Sequence, residues 1–336
     1  MCQSFQISQE ANCTPSEQNP RDSLLRDMNL PLRELFYPLG YEVEIITNDQ
    51  LVLLAASESF GHRRKSKEST ALQVRIGVTQ QAGLACPPEP ARREYNHLYS
   101  LVADTDNQAI LDLKTFTSFA WVTRSAVSNL LYFRHNFLEK IVYLQLGASV
   151  VTDLHAACVA KNGKGILLCG DSGAGKSTLA YACARAGWTF TSDDTSYLIN
   201  NAKNPRVVGH SHRLRFRPAA RLLFPELERF EVTPRMEGKP SVEVPITDLP
   251  VSHMAIEADV CFVVYLRRNS SGTGGLVRLP DGTATQRACK ELYSAGEIRA
   301  RHEEILKRFS DVPTFDMEYS SIDEGIRMLE QLTQDA

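Results

Sequence analysis

The stretch Gly165–Asp194, GILLCGDSGAGKSTLAYACARAGWTFTSDD, decides the fold class. Its first five residues, GILLC, read as a short buried strand. GDSGAGKS (Gly170–Ser177) then satisfies G-x-x-x-x-G-K-[ST], and STLAYACARAG follows as an amphipathic helix stopped by Gly187. Strand, glycine-rich loop and helix in that order form a cradle for a polyphosphate. The glycines let the loop turn its backbone N–H groups inward, and the helix N-terminus adds a favourable dipole. Gly170, Asp171, Ser172, Gly173, Ala174, Gly175, Lys176, Ser177 and Thr178 are therefore the candidate nucleotide-binding residues, with ATP as the expected ligand. Lys176 has the reach for the β and γ phosphates, and the Ser177 hydroxyl for Mg²⁺.

After the helix, WTFTS (Trp188–Ser192) reads as another strand, with Asp193 and Asp194 at its end. A right-handed strand–helix–strand crossover makes the two strands parallel, so the loop and the aspartates share one rim of the sheet. One carboxylate can help hold Mg²⁺ while the other accepts a proton from an incoming hydroxyl. Two carboxylates together are unfavourable there without a cation. Upstream, LHAACVAKNGKGILLCG contains Asn162–Gly163, a hairpin turn between two apolar runs. If these are the turn residues, Lys161 pairs with Lys164, and the same register sets His155 opposite Gly170. His155 thus becomes a candidate at the phosphates.

LHAACVAKNGKGILLCGDSGAGKSTLAYACARAGWTFTSDD, as a whole, resembles the core of the HPr kinase/phosphorylase family: a histidine, a hairpin, a P-loop and a strand ending in two aspartates. The spacings from His155 to Lys176 and from Lys176 to Asp194 agree with the family's. The resemblance implies a kinase that phosphorylates a serine hydroxyl from ATP. It implies Asp194 as catalytic base, Lys176 and His155 assisting at the phosphates, and Ser177 as a Mg²⁺ ligand. Asp193 matches the first aspartate of the pair, and a metal role for it is our inference. A homo-oligomer is left open, hexamers being common in the family. The match covers about residues 150 to 200. Beyond it, the family's acidic LEIRG segment is replaced by HRLRFRPAARLLFPEL (His212–Leu227), without an acid at the corresponding place, and the PGRN motif is absent.

Within HSHRLRFR, Arg213, Arg215 and Arg217 fall on one face of an expected strand. They form either a wall for an acidic peptide or triphosphate, or a solvated or acid-paired strand face. A metal site at His210 and His212 needs a third ligand that the sequence does not identify. Lys239 and Arg278 are candidate loop contacts to substrate.

Outward from this core, YEVEIIT (Tyr41–Thr47) alternates as a strand, and NDQLVLLAASESFG reads as a capped helix ending at Gly61. ALQVRIGV, HLYSLVAD and AILDLKTFTSFAWVT are further strand candidates. NLLYFRHNFLEKIVYLQLG places Leu130, Phe133, Phe137, Leu138, Ile141 and Leu144 at helical spacing. The C-terminal end reads as helix, strand, helix, with Ser321 and Glu324 at capping-box spacing. The first residues are a polar tail without the apolar core of a secretory signal. HRRKSKES (His62–Ser69) is a basic loop.

The chain has 336 residues, 43% hydrophobic and 23% charged, with a net charge of −3. That charge gives no reason to expect nucleic acid or an anionic membrane as partner. No apolar run approaches the ~18 residues of a membrane span. The eight cysteines lack zinc-knuckle spacing and read as reduced thiols of a cytoplasmic protein.

The expected architecture is α/β. A polar tail (1–28) and an N-terminal α+β accessory domain (29–148) precede a P-loop domain of HPr-kinase type with a mixed sheet (149–336). The expected activity is Mg²⁺·ATP-dependent phosphoryl transfer to a hydroxyl, a serine of a protein or peptide. A small-metabolite kinase and a nucleotide-gated binding module with little catalysis remain as alternatives.

Overall fold

A computed structural model describes residues 28–61, 65–67, 72–80, 83–209, 213–233, 240–269 and 274–334. The tail up to residue 27, part of the basic loop, His210, His212 and Lys239 lie outside the described residues. The chain divides into two compact units, Met1–Gln145 and Leu146–Ala336. Both are mixed α/β structures.

The first unit is built on seven strands: β1 (Leu32–Phe36), β2 (Val43–Thr47), β3 (Leu72–Thr79), β4 (Ala91–Tyr95), β5 (Leu98–Val102), β6 (Gln108–Asp112) and β7 (Thr117–Thr123). Their order is β1-β2-β3-β7-β6-β5-β4, with β2–β3 and β3–β7 parallel and the rest antiparallel. Strand β3 shows how the face is chosen: Leu72, Val74, Ile76 and Val78 are buried while Gln73 and Arg75 are half-buried. Helix α1 (Gln50–Phe60) starts where the Asp49 carboxylate accepts from the Leu51 N–H at 2.9 Å. The run AILDLKTFTSFAWVT is two strands, not one. Phe116, at φ 56°, turns the chain between β6 and β7. The expected single helix after β7 is also interrupted. It follows a short α2 (Arg124–Ser128) and comprises α3 (Leu130–Phe133), a π-helical turn (Arg134–Leu138) and α4 (Glu139–Ser149). The turn buries Arg134, whose guanidinium donates to Ser59, Glu58 and Glu139. A buried guanidinium needs such partners, and apolar spacing alone does not announce them.

The second unit contains β8 (Val151–Leu154), β9 (Ala157–Lys161), β10 (Lys164–Cys169), β11 (Thr189–Ser192), β12 (Ser196–Ile199), β13 (Arg206–Gly209), β14 (Arg213–Phe216), β15 (Val242–Pro245), β16 (Glu257–Arg268), β17 (Gly275–Arg278) and β18 (Thr314–Tyr319). Its helices are α5 (Lys176–Arg185), α6 (Thr283–Glu291), α7 (Gly296–Leu306) and α8 (Ile322–Gln334). The main sheet runs β11-β9-β10-β16-β13-β12-β8. Strand β18 pairs with β16 and β17, while β14 and β15 form a separate two-stranded antiparallel sheet. The turn at Asn162 and Gly163 (φ 53° and 77°) joins β9 to β10 in the expected register, Lys161 opposite Lys164.

Strand β10 is apolar from Ile166 to Cys169 because both faces of the sheet are covered. Ile166 and Leu168 join one core cluster with Leu179 of α5 and Leu329 of α8. Leu167 joins the other with Ala284 of α6 and Leu306 of α7. Helix α5 ends as expected, the Gly187 N–H donating to Ala184 and that of Trp188 to Cys183. At the start of α8 the Ser321 hydroxyl accepts from the Glu324 N–H. The Glu324 carboxylate reaches one residue beyond the expected cap, to Ser320. No helix among the described residues is long and apolar enough to cross a membrane.

Two connections shape the sheet. Leu154 of β8 and Ala157 of β9 are three residues apart, as far as chain geometry allows about 10 Å. Ser192 of β11 and Ser196 of β12 are four apart. Yet β8 and β12 lie at one end of the strand order and β9 and β11 at the other. The sheet must therefore curl until its ends approach. Gly209 at the end of β13 permits this closure, since a Cβ there would lie 2.3 Å from the Thr191 carbonyl of β11.

Candidate functional site

Both short crossings carry a candidate residue. His155 sits in the bend between β8 and β9, and Asp193–Asp194 in the turn between β11 and β12. The crossings are tied together through buried serines. The Ser192 and Ser196 hydroxyls are 2.6 Å apart, and that of Ser196 donates to the Ala156 carbonyl at 2.9 Å. Neither serine stands out in the sequence, because the contact joins segments 40 residues apart.

The loop Gly170–Gly175 leads into α5, whose first residue is Lys176. Its helix cap, Gly175, has φ 100°, a conformation suited to glycine, and a Cβ there would strike the Tyr319 hydroxyl at 2.2 Å. That hydroxyl donates to the Ala174 carbonyl at 2.9 Å, bracing the loop from the end of β18. Tyr319 is a third residue the sequence reading missed, 145 positions from its partner. Asp171, Ser172 and Gly173 are exposed; Ala174, Ser177 and Thr178 are half-buried.

Lys176 is buried, with Nζ 2.6 Å from the Gly170 carbonyl and 3.1 Å from His155 Nε2. Burial holds its pKa below the usual lysine value, opposed by the Asp194 charge. If Nε2 accepts from the ammonium, the imidazole proton is on Nδ1, which faces Asp194 Oδ1 at 3.9 Å. Imidazole thus lies between the ammonium and the outer carboxylate. The expected hairpin ladder ends at Ala157–Leu168, so His155 reaches the cradle through the bend after β8 rather than by cross-strand pairing.

The aspartates differ. Asp194 has a side chain 46% exposed. Asp193 is buried, and its Oδ2 accepts from the Arg215 N–H at 2.8 Å. Burial, with the Asp194 charge second, pushes the Asp193 carboxyl up to about 6. The Ser177 hydroxyl donates to the Asp193 carbonyl at 3.1 Å, joining the start of α5 to the aspartate turn. Strands β10 and β11 are parallel as expected, but β9 lies between them, antiparallel to both.

The basic strand is largely acid-paired. Glu243 of β15 lies 3.0 Å from Arg213 and 3.5 Å from Arg215. Arg217 falls beyond the end of β14 and is exposed, so it does not extend that face. Arg278 lies 3.4 Å from Asp281.

Among the described residues no group of three or more His, Cys, Asp or Glu side chains is gathered to hold a metal ion. The hard oxygens of Ser177 and the aspartates nevertheless suit Mg²⁺, which takes few protein ligands and completes its shell with phosphates and water. Burial and the Asp194 charge raise the Asp193 pKa more than the Arg215 N–H and guanidinium lower it, so a further cation would favour its charged form.

No protein-family model matches the chain, and no curated protein matches it. Among solved structures it is similar to an Hpr(Ser) kinase/phosphatase from Coxiella burnetii, at 10% identity and a TM-score of 0.33. The similarity covers 55% of this chain and 99% of that one. It is a distant one. A similarity of that size assigns no function, so the residues themselves carry the reading.

Proposed function

We propose that the protein is a Mg²⁺·ATP-dependent phosphotransferase that moves the γ-phosphoryl group to a hydroxyl, a serine of a protein or peptide. The observation that carries this reading is the convergence of Lys176, His155 and Asp194 beside a glycine loop that opens a helix. The loop N–H groups and the α5 N-terminus would bind the polyphosphate, because the first N–H groups of a helix lack intrahelical partners. Ser177 and Asp193 would hold Mg²⁺, which neutralises phosphate charge when bound. Lys176 would stabilise the charge on the transferring group.

Asp194 would orient the acceptor hydroxyl and take its proton as the new O–P bond forms and the β,γ-bridging bond breaks, releasing ADP. His155, between Asp194 and Lys176, would fix both groups and limit their direct pairing. This chemistry depends on placement and charge more than on an unusual pKa at the base.

Transfer of γ-labelled phosphate from Mg²⁺·ATP, with purified protein and fractionated lysate of its own host, tests the reading. Label in a discrete protein or peptide, lost with Asp194→Asn, supports it. Label in a small-molecule fraction points to a metabolite kinase. ATP binding without any transfer overturns the phosphotransferase reading and leaves a nucleotide-binding module.

A further inference from the structure

A concavity of about 80 Å³ shares His155 with the cradle but includes none of the loop residues. Its walls are Asp153 and His155 at the end of β8, Thr195 after the aspartate pair, and Glu291 and Tyr293 at the end of α6. No lysine or arginine lines it. Glu243 meets Arg213 at 3.0 Å, Asp259 meets Arg206 at 2.7 Å, and Asp316 meets Arg287 at 2.9 Å. Asp153 and Glu291 have no ion-pair partner among the described residues.

The geometry points to this concavity as the acceptor subsite, taking a guanidinium or ammonium group carried by the acceptor close to its hydroxyl. The inference rests on the phosphotransferase reading, and it names the substrate class as cationic. Two carboxylates on the walls supply the counter-charge, and charge-assisted hydrogen bonds give a cation its orientation. Tyr293, 83% exposed, adds an aromatic face on which a cation can rest. His155, which lines the concavity, faces the Asp194 carboxylate at 3.9 Å, so a group held here is one imidazole away from the carboxylate that receives the hydroxyl proton. Asp153 and Glu291 disfavour phosphate in the concavity, while Lys176 and the α5 N-terminus favour it at the loop.

N-acetyl-Ser-Arg-amide and N-acetyl-Ser-citrulline-amide test this, being alike in shape and different in charge. Each is titrated into the ¹⁵N-labelled full-length protein, with Mg²⁺·ATP titrated separately. The arginine probe is expected to shift the Thr195 and Tyr293 amides and to bind about tenfold more tightly than citrulline, the effect of one charge-assisted hydrogen bond. Glu291→Gln, an exposed substitution, should reduce that preference, and adding Asp153→Asn should remove it while the shifts at Gly173 and Lys176 with Mg²⁺·ATP persist. Equal binding of the probes, binding of neither, or shifts elsewhere overturns the cationic subsite. A charge preference without nucleotide binding keeps the cation site and removes the phosphotransferase reading; nucleotide binding without the preference does the reverse.

Discussion

The floor and the rim of the aspartate turn place the same side chain in opposite surroundings. Asp193, on the floor, is buried, accepts a backbone N–H from Arg215 and has its pKa pushed up to about 6. Asp194, on the rim, is half exposed and faces His155. One peptide bond separates a carboxylate that burial disfavours in its charged form from one that water can reach. In the proposed function the contrast separates two duties. The floor suits a group whose ionisation is completed by a cation, and the rim suits one that meets an acceptor and exchanges a proton.

Substitution on the rim should affect chemistry most. Asp194→Asn is expected to lower kcat by about a hundredfold to ten-thousandfold, the usual weight of a general base. It should leave ATP affinity and thermal stability near wild type. Single-turnover transfer and a nucleotide titration check it. An equal loss of affinity would break the distinction, because both aspartates would then serve the phosphates.

On the floor, stability should move instead. Asp193 binds its proton more tightly folded than unfolded, with a folded pKa near 6 against an ordinary 3.8. Its ionisation therefore destabilises the nucleotide-free fold as pH rises from about 4 to 6, and the penalty is constant above that window. A shift of that size corresponds to about 3 kcal/mol. Asp193→Asn, which keeps an acceptor for the Arg215 N–H, should raise stability at pH 7 and remove that decline. Denaturant midpoints across pH 4 to 8 measure both. A wild type that gains stability relative to the variant over the same window would contradict the assignment.

The smallest effect is expected at the brace behind the cradle. Tyr319→Phe removes the hydrogen bond to Ala174 and little volume, so the fold should lose about 1 kcal/mol. If Tyr319 positions the loop, KM for ATP should rise severalfold while kcat changes little. A fall in kcat at constant KM would place its influence on the transferring group instead.

The cradle itself was legible because its determinants are local. The order strand, glycine loop and helix is written in adjacent residues, and the hairpin register follows from Asn162–Gly163. Strand β10 and helix α5 also follow from contiguous patterning. In the first unit the same kind of patterning misled in two places. Continuous β-propensity concealed the turn at Phe116, and helical spacing concealed the π-helical turn around buried Arg134. Periodicity records which face is apolar; it does not record where a chain reverses or which charge a guanidinium must meet.

The chain alone determined the order of strand, glycine loop and helix, the two aspartates after it and the register of the hairpin before it, since backbone conformation and side-chain period act over a few residues. Only the tertiary structure decided that the sheet curls closed at Gly209, and that His155 meets Lys176 through a bend. It likewise decided that Glu243 pairs with Arg213 and Arg215, and that Tyr319 braces Ala174. These contacts depend on the approach of segments distant in sequence, and burial separates Asp193 from Asp194 only after that approach has occurred.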